Sequence, residues 1–457
     1  MYLDLLALSH IERTILQSKV VSGTKFYSEN KWFDPVLKRL EGIVGKTNKA
    51  RYKSTRWFLT CTAKAIRHRG EGFCFGMHTS WFTGTKQKIG HANSVDIVEL
   101  LENEGYIDVY KGCVELWGTG DEGTCAAKET HPTVVIMKQK YLDLWSDVCL
   151  EKIPQIKDEE PIILRDRKTK ESLSLQGWKG VGKMREGLER LNGKLAETEI
   201  RINDEVCASV QYNRIFSDDL EKDGRFYVIG GGVQTAPAIL RKTSLFIGDD
   251  KTVELDFKAM HPRLLLEMLS VGAAREGEEF EICPSFSPYD AEIESLIELD
   301  YSEIEKQSNI LGTKYDPVRN LKKQALLVMI NAKSEAAARG ALCQKLATDK
   351  KRPDPIDRLF VGIKGALPIK EIMSRIYEHN EIIADHMYND TGIALMNMDS
   401  RIAERVIDAM LQEDEPILCY HDSFIVKEYM EDYLRLSMEN AWKAVMLDNK
   451  FCKIEKK

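Results

Sequence analysis

The sequence predicts an α+β chain, with a body of antiparallel sheet and long helices over residues 206–457 and a smaller mixed region ahead of it. Three observations predict this. Short apolar runs with strand character stop at acidic residues, at Val253–Asp256 and again within Ile417–Val426 around His421-Asp422. Stretches with apolar residues at helical spacing lie between and beside them, the clearest being Arg319–Ala332. Length is the third: 457 residues suit roughly two to four domains rather than one.

Composition narrows the function classes. Hydrophobic residues make up 43% and charged residues 30%, which excludes a disordered, collagen-like or disulfide-scaffold chain. No apolar run approaches the ~20 residues needed to span a bilayer, so no membrane partner is expected. The start, MYLDLLALSHIER, carries acids early and lacks a basic leader region, so no secretory signal is expected either. None of the ten cysteines forms a C-x-x-C pair, and the closest two are Cys113 and Cys125. That spacing supports neither a zinc site nor a disulfide framework, and reduced thiols in a cytoplasmic protein are expected.

The net charge of −7 excludes a uniformly basic coat, but the charge is uneven. From Lys38 to Arg69 there are ten Lys and Arg against one acid, Glu41, with Tyr52, Trp57 and Phe58 interleaved. Basic residues among aromatics attract a phosphate backbone with exposed bases, whereas the plainer alternative is a solvated helix face. Between Glu276 and Glu305 stand eleven acids and no Lys or Arg, a solvated surface that should avoid nucleic acid.

In chain order, residues 1–150 form the mixed N-terminal region. Within it, Val95, Ile97, Val98, Leu100 and Leu101 predict a helix ended by Gly105, followed by strands over Ile107–Trp117 and Thr133–Met137 with a Gly-rich tip at Gly118–Gly123. Helix plus hairpin outlines a winged helix over about residues 90–140, a module that binds nucleic acid; a purely structural α+β segment is the alternative. Residues 151–172 are charged and linker-like, and Met184 to Ile202 predicts a helix. Beyond it the chain turns β-rich, then alternates helices and strands.

Two motifs are near-misses. Gly177 to Lys183 fits the first part of a phosphate-binding loop, but Met184 stands where a Mg²⁺-ligating hydroxyl is required. Asp158-Glu-Glu160 imitates a proofreading acid pair but sits in a charge cluster, not at a strand end.

Three segments carry chemistry. In Val253–Arg263 a strand delivers one carboxylate, Asp256, where it ends, as metal-dependent phosphoryl transfer requires. In Ile417–Val426 two apolar runs flank His421-Asp422, a hairpin with a second carboxylate at its tip. Acids on adjacent strand ends can hold two Mg²⁺ ions about 3.5–4 Å apart. In the third, steps of four put Arg319, Lys323, Leu327 and Asn331 on one helix face, two cations for a triphosphate and two positions for its base.

Together, in this order, the three resemble the family A nucleic-acid polymerases of the bacterial DNA polymerase I type. The first looks like motif A, D-Y-S-Q-I-E-L-R, with Asp256 and Arg263 at matching positions. The helix looks like motif B, R-x-x-x-K-x-x-x-F-x-x-x-Y-G, with Arg319 and Lys323 kept. His421-Asp422 matches motif C. Upstream, Gly224-Arg225 followed by Val233-Gln234-Thr-Ala-Pro237 resembles the stretch that holds the primer–template duplex. The likeness covers roughly residues 205–457.

The resemblance implies a right-hand palm with helical fingers at about residues 310–395, and a thumb-like helix within 151–205. It implies Asp256 and Asp422 as ligands of two Mg²⁺ ions, with Mn²⁺ as the alternative ion. Arg319 and Lys323 would grip the triphosphate, Lys323 also as proton donor to pyrophosphate. Leu327, Asn331 and His261 would line the nucleotide. Arg225, Gln234, His421 and Arg263 would contact the primer–template. The departures fall on sugar selection: His261 replaces a Glu, Asn331 a Tyr and Leu327 a Phe, and Ser423 gives the H-D-S-F of single-subunit phage-type RNA polymerases. The expected function is a DNA-directed DNA polymerase extending a primer without proofreading, its partners DNA primer–template and nucleoside triphosphates, with RNA as an alternative template. A primase or RNA polymerase on the same palm, and a non-catalytic nucleic-acid-binding replication factor, are the rival readings.

Overall fold

The computed structural model describes residues 3–4, 8, 10–22, 28–29, 31–45, 48–77, 82, 88–112, 114–117, 127–130, 132–148, 160–229, 232–352 and 355–457. The Gly118–Gly123 tip, Cys113, Cys125 and Asp158 lie outside the described residues.

Among the described N-terminal residues, the strands Leu3–Asp4, Ile107–Lys111, Thr133–Met137, Gly72–Phe75 and Val20–Ser22 lie side by side in that order. The inner pairs are antiparallel and the two outer strands add in parallel. The helix predicted from Val95 runs His91–Asn103, and Gly105 follows it with a φ of 73°. Of the strands after it, Ile107–Lys111 and Thr133–Met137 are interior strands of this five-stranded sheet, whereas Val114–Trp117 pairs antiparallel with Ala127–Thr130 as a separate two-stranded ribbon. At Gly72 the backbones come so close that a Cβ would stand 1.8 Å from the Val135 carbonyl oxygen, which only glycine avoids.

The basic stretch is largely structural. Asn48 caps the helix Lys49–Arg67 by accepting from the Ala50 and Arg51 N–H groups. This helix is buried along its middle, Ser54 to Ala65. Trp57 and Phe58, both 0% exposed, are packed edge-on against Phe73. Neither can stack on a base. Arg56 pairs with Asp34 at 2.7 Å and bonds the Tyr52 hydroxyl, while Arg39 pairs with Asp147 and Arg51 with Asp96. Trp57 and Phe58 therefore belong to the core of the N-terminal region, and three of the ten cations, Arg39, Arg51 and Arg56, are paired with acids distant in sequence.

The segment 160–172 is not a linker. Ile162–Arg165 is a strand parallel to Tyr212–Ser217, which pairs antiparallel with Asp219–Val228. Arg167 then reaches Asp390 with both terminal guanidinium nitrogens, Nη2 at 2.7 Å. Glu160 pairs with Arg185 at 2.8 Å. The helix expected from Met184 to Ile202 spans Val181–Glu197, and Ile200–Ile202 has become a strand. Ile200 and Ile202 alternate inward, and the sheet partner Leu245–Ile247 recruits them by burial.

That strand belongs to a seven-stranded antiparallel sheet in which Asp250–Phe257 is central. On one side it pairs with Ser423–Lys427, Asp256 opposite Ser423; on the other it pairs with Ile454–Lys456, Asp256 opposite Glu455. Val253, Leu255 and Phe257 are buried in the core below, which leaves Glu254 and Asp256 on the opposite face. Helices Met260–Glu276, Gly392–Gln412 and Glu431–Met446 pack together around this core.

Candidate active site

Asp256 stands one residue before the end of its strand, and the chain then turns sharply through Ala259, whose φ of 52° is left-handed, into Met260–Glu276. Asp422 sits in a two-residue hairpin turn between Leu418–Tyr420 and Ser423–Lys427. His421, the first turn residue, has a φ of 60°. A His in this position is strained, and such strain concentrates at functional sites. The Asp422 carbonyl accepts from the Phe257 N–H at 3.0 Å, which locks the tip to the end of the central strand.

The two carboxylates feel each other. Burial, and next the negative charge of Asp422, push the Asp256 carboxyl up to about 6; Lys457, with its Nζ 2.8 Å from Oδ1, and the charge of Lys323 oppose the shift. Lys323 lies on Pro317–Asn331, a helix started by Pro317 and by Asp316, which accepts from the Arg319 N–H. Val318, Leu321, Ala325 and Met329 bury one side of this helix, whereas Arg319 and Lys323 are exposed and Leu327 and Asn331 half-buried. Tyr289 connects the two halves. Its hydroxyl pKa is raised by burial first and then by the charges of Asp422 and Asp256, while Arg319 opposes. Asp256 thus lies within electrostatic range of Asp422 and Lys323, and Tyr289 within range of Asp422, Asp256 and Arg319.

Asn331 is spent locally. Its Nδ2 donates to the Leu327 carbonyl at 2.7 Å, and its Oδ1 would lie 1.9 Å from a Cβ on Gly392, so this contact requires glycine. His261 is 7% exposed, and its Nε2 lies 2.9 Å from Asp399 Oδ2 and 3.0 Å from Arg225. Asp399 also takes the Arg225 guanidinium, with Nε at 3.0 Å. Burial alone would raise the Asp399 carboxyl, but the His261 hydrogen bond and the Arg225 charge outweigh it and hold it below the usual carboxylate value. His421 is held low by burial and by the Arg225 charge, so it stays neutral at pH 7, and Tyr227 packs edge-on at 5.4 Å.

Three residues expected on the primer–template have partners within the protein. Arg263 is 1% exposed and donates to the carbonyls of Phe451 at 3.2 Å and Phe286 at 2.8 Å, which pins its helix to two loops. Gln234 accepts from the Val228 N–H and donates to the Phe226 carbonyl, closing its own turn. Arg225 is ion-paired with Asp399.

Sequence reasoning missed Asp399, Tyr289, Glu254, Arg241 and Lys457. Arg241 grips both Glu254 oxygens, at 2.9 and 3.1 Å, over the ring of Tyr420, and Ser423 donates to Glu254 at 2.5 Å. The one signal available was polarity out of place, Asp399 within an otherwise amphipathic helix and Glu254 within an apolar strand.

Two carboxylates brought together at the ends of paired strands, with the charge of Asp422 raising the Asp256 carboxyl, form a hard oxygen donor set. Among the described residues no group of three His, Cys, Asp or Glu side chains comes together. The pair fits Mg²⁺, which is typically held by one or two carboxylates plus substrate phosphates rather than by an all-protein cage.

One solved structure, the POL domain of Pol1 from M. smegmatis in complex with DNA primer-template and dNTP, is similar over 98% of this chain and 69% of that one, at 9% identity and a TM-score of 0.28. A TM-score that low carries no argument. No protein-family model matches the chain, and no curated protein matches it. No helix among the described residues is long and apolar enough to cross a membrane.

Proposed function

We propose that the chain is a template-directed nucleotidyltransferase, extending a DNA primer with nucleoside triphosphates on a palm-like sheet faced by finger-like helices. The observation that supports this is that Asp256, at a strand end beside the Asp422 turn, lies within electrostatic range of Asp422 and Lys323, with Arg319 one turn away on the same exposed helix face. A negative pair opposite a positive pair is what a triphosphate and its counter-cations need.

Asp256 and Asp422 would hold Mg²⁺, which when bound activates the primer hydroxyl and offsets charge on the departing pyrophosphate. Arg319 and Lys323 would grip the phosphates, and Lys323 would give a proton to the leaving group. His421, kept neutral by burial and Arg225, offers the primer terminus a hydrogen-bonding ring without repelling the cations.

Sugar selection tests the pocket. A gate discriminates by filling the space beside the sugar or by stranding a polar group. His261 is clamped by Asp399 and Arg225, and Asn331 by Leu327 and Gly392, so neither braces the other. The expected result of single-nucleotide extension with dNTPs and rNTPs is primer-dependent DNA synthesis with discrimination against ribose of about 10²-fold or less. Rejection of rNTPs by about 10⁴-fold or more would overturn this pocket assignment, and efficient unprimed rNTP synthesis would favour a primase instead.

A further inference from the structure

The strand Ile454–Lys456 runs antiparallel along the end of Asp250–Phe257, with Leu255 opposite Lys456. The next N–H, that of Lys457, still donates to the Glu254 carbonyl at 3.1 Å. The backbone therefore fixes where the Lys457 side chain begins. Its ammonium ends 2.8 Å from Asp256 Oδ1 and 3.3 Å from Glu254 Oε1.

The two acids differ in their need for it. Glu254 already has the Arg241 guanidinium on both oxygens and the Ser423 hydroxyl on one. Among the described residues, Lys457 is the only basic side chain in ion-pair contact with Asp256.

We propose that Lys457 is a tethered counter-ion of Asp256, occupying the carboxylate oxygen a divalent cation needs, so that the cation binds by displacing the ammonium onto Glu254. This rests on the reading of Asp256 and Asp422 as metal ligands. An ammonium and a divalent cation repel too strongly to share one carboxylate oxygen. The move is short, because Glu254 Oε1 is already 3.3 Å away, and the Lys457 side chain is 36% exposed. Lys457 thereby relieves the repulsion between the two acids while the cation is away, and it raises the concentration at which the cation enters.

The test is Mn²⁺ binding to the full chain without nucleotide, read from the paramagnetic resonance signal of free Mn²⁺. Lys457→Met keeps the stem and removes the charge, and it should tighten binding by about tenfold or more. Lys457→Gln should act in the same direction and serves if the Met variant melts early. Lys457→Arg, which keeps the charge, should stay within about threefold of wild type, a rescue that a packing role would not give. If wild type binds Mn²⁺, Asp256→Asn abolishes that binding, and both neutral Lys457 variants bind no tighter than wild type, the counter-ion role is overturned while the metal reading stands. If wild type binds no Mn²⁺, or binds it independently of Asp256, the metal reading fails and the displacement fails with it.

Discussion

Asp256→Asn and Asp422→Asn are each expected to lower primer extension on the order of 10³-fold or more while leaving primer–template affinity within about threefold of wild type. Metal stabilisation of a phosphoryl-transfer transition state is worth several kcal/mol, and each ~1.4 kcal/mol is a factor of ten in rate. Asn keeps the volume and a carbonyl oxygen but removes the charge, so the strand ends and the Phe257–Asp422 backbone bond should persist. The two substitutions act on one site, so the double variant should be little worse than either single one. Extension at the wild-type rate by either variant would remove that carboxylate from the reaction. The measurement is a single-turnover extension at saturating nucleotide, beside a filter-binding or anisotropy titration of the duplex.

The largest effect on stability is expected at Asp399. It is 1% exposed and ties Arg225, from the strand Asp219–Val228, to His261, from the helix after the central strand. Removing one partner of a buried charged pair leaves the other without compensation, and Asp399→Ala should cost about 3–5 kcal/mol in denaturant unfolding of this core. The pH dependence has a fixed sign. The folded carboxyl titrates below its unfolded value, so its contribution is present above the ordinary carboxylate pKa and fades as pH falls through the lowered folded value. The gap between wild type and variant should therefore be full at pH 7 and shrink in strong acid. A loss under about 0.5 kcal/mol at pH 7 would mean that the network contributes nothing net.

Much of the local structure was legible, because it is written locally. Val253, Leu255 and Phe257 alternate, so the strand and its acid-bearing face follow from period two, and the helical spacing within Arg319–Ala332 announces the helix that carries Arg319 and Lys323. What was misread depends on distant partners. Trp57 and Phe58 among cations suggest a nucleic-acid face, yet periodicity cannot tell a helix that is exposed on one side from one buried nearly all round. Ile200–Ile202 continued a helical pattern until a neighbouring strand claimed it. Arg225 meets Asp399 across 174 residues, and Asp256 meets Lys457 across 201, separations over which no spacing rule operates. Arg263 illustrates the same limit, since its match to a motif position said nothing of the Phe451 and Phe286 carbonyls that hold it in the interior.

The most direct measurement is template-directed incorporation of a single nucleotide by the wild-type chain, on a DNA primer–template whose first unpaired base is varied through all four identities. The account predicts a primer longer by one residue, formed with the nucleotide complementary to that base, dependent on Mg²⁺ or Mn²⁺ and abolished by chelation. Duplex binding with no extension from any nucleotide, template or divalent cation would contradict it.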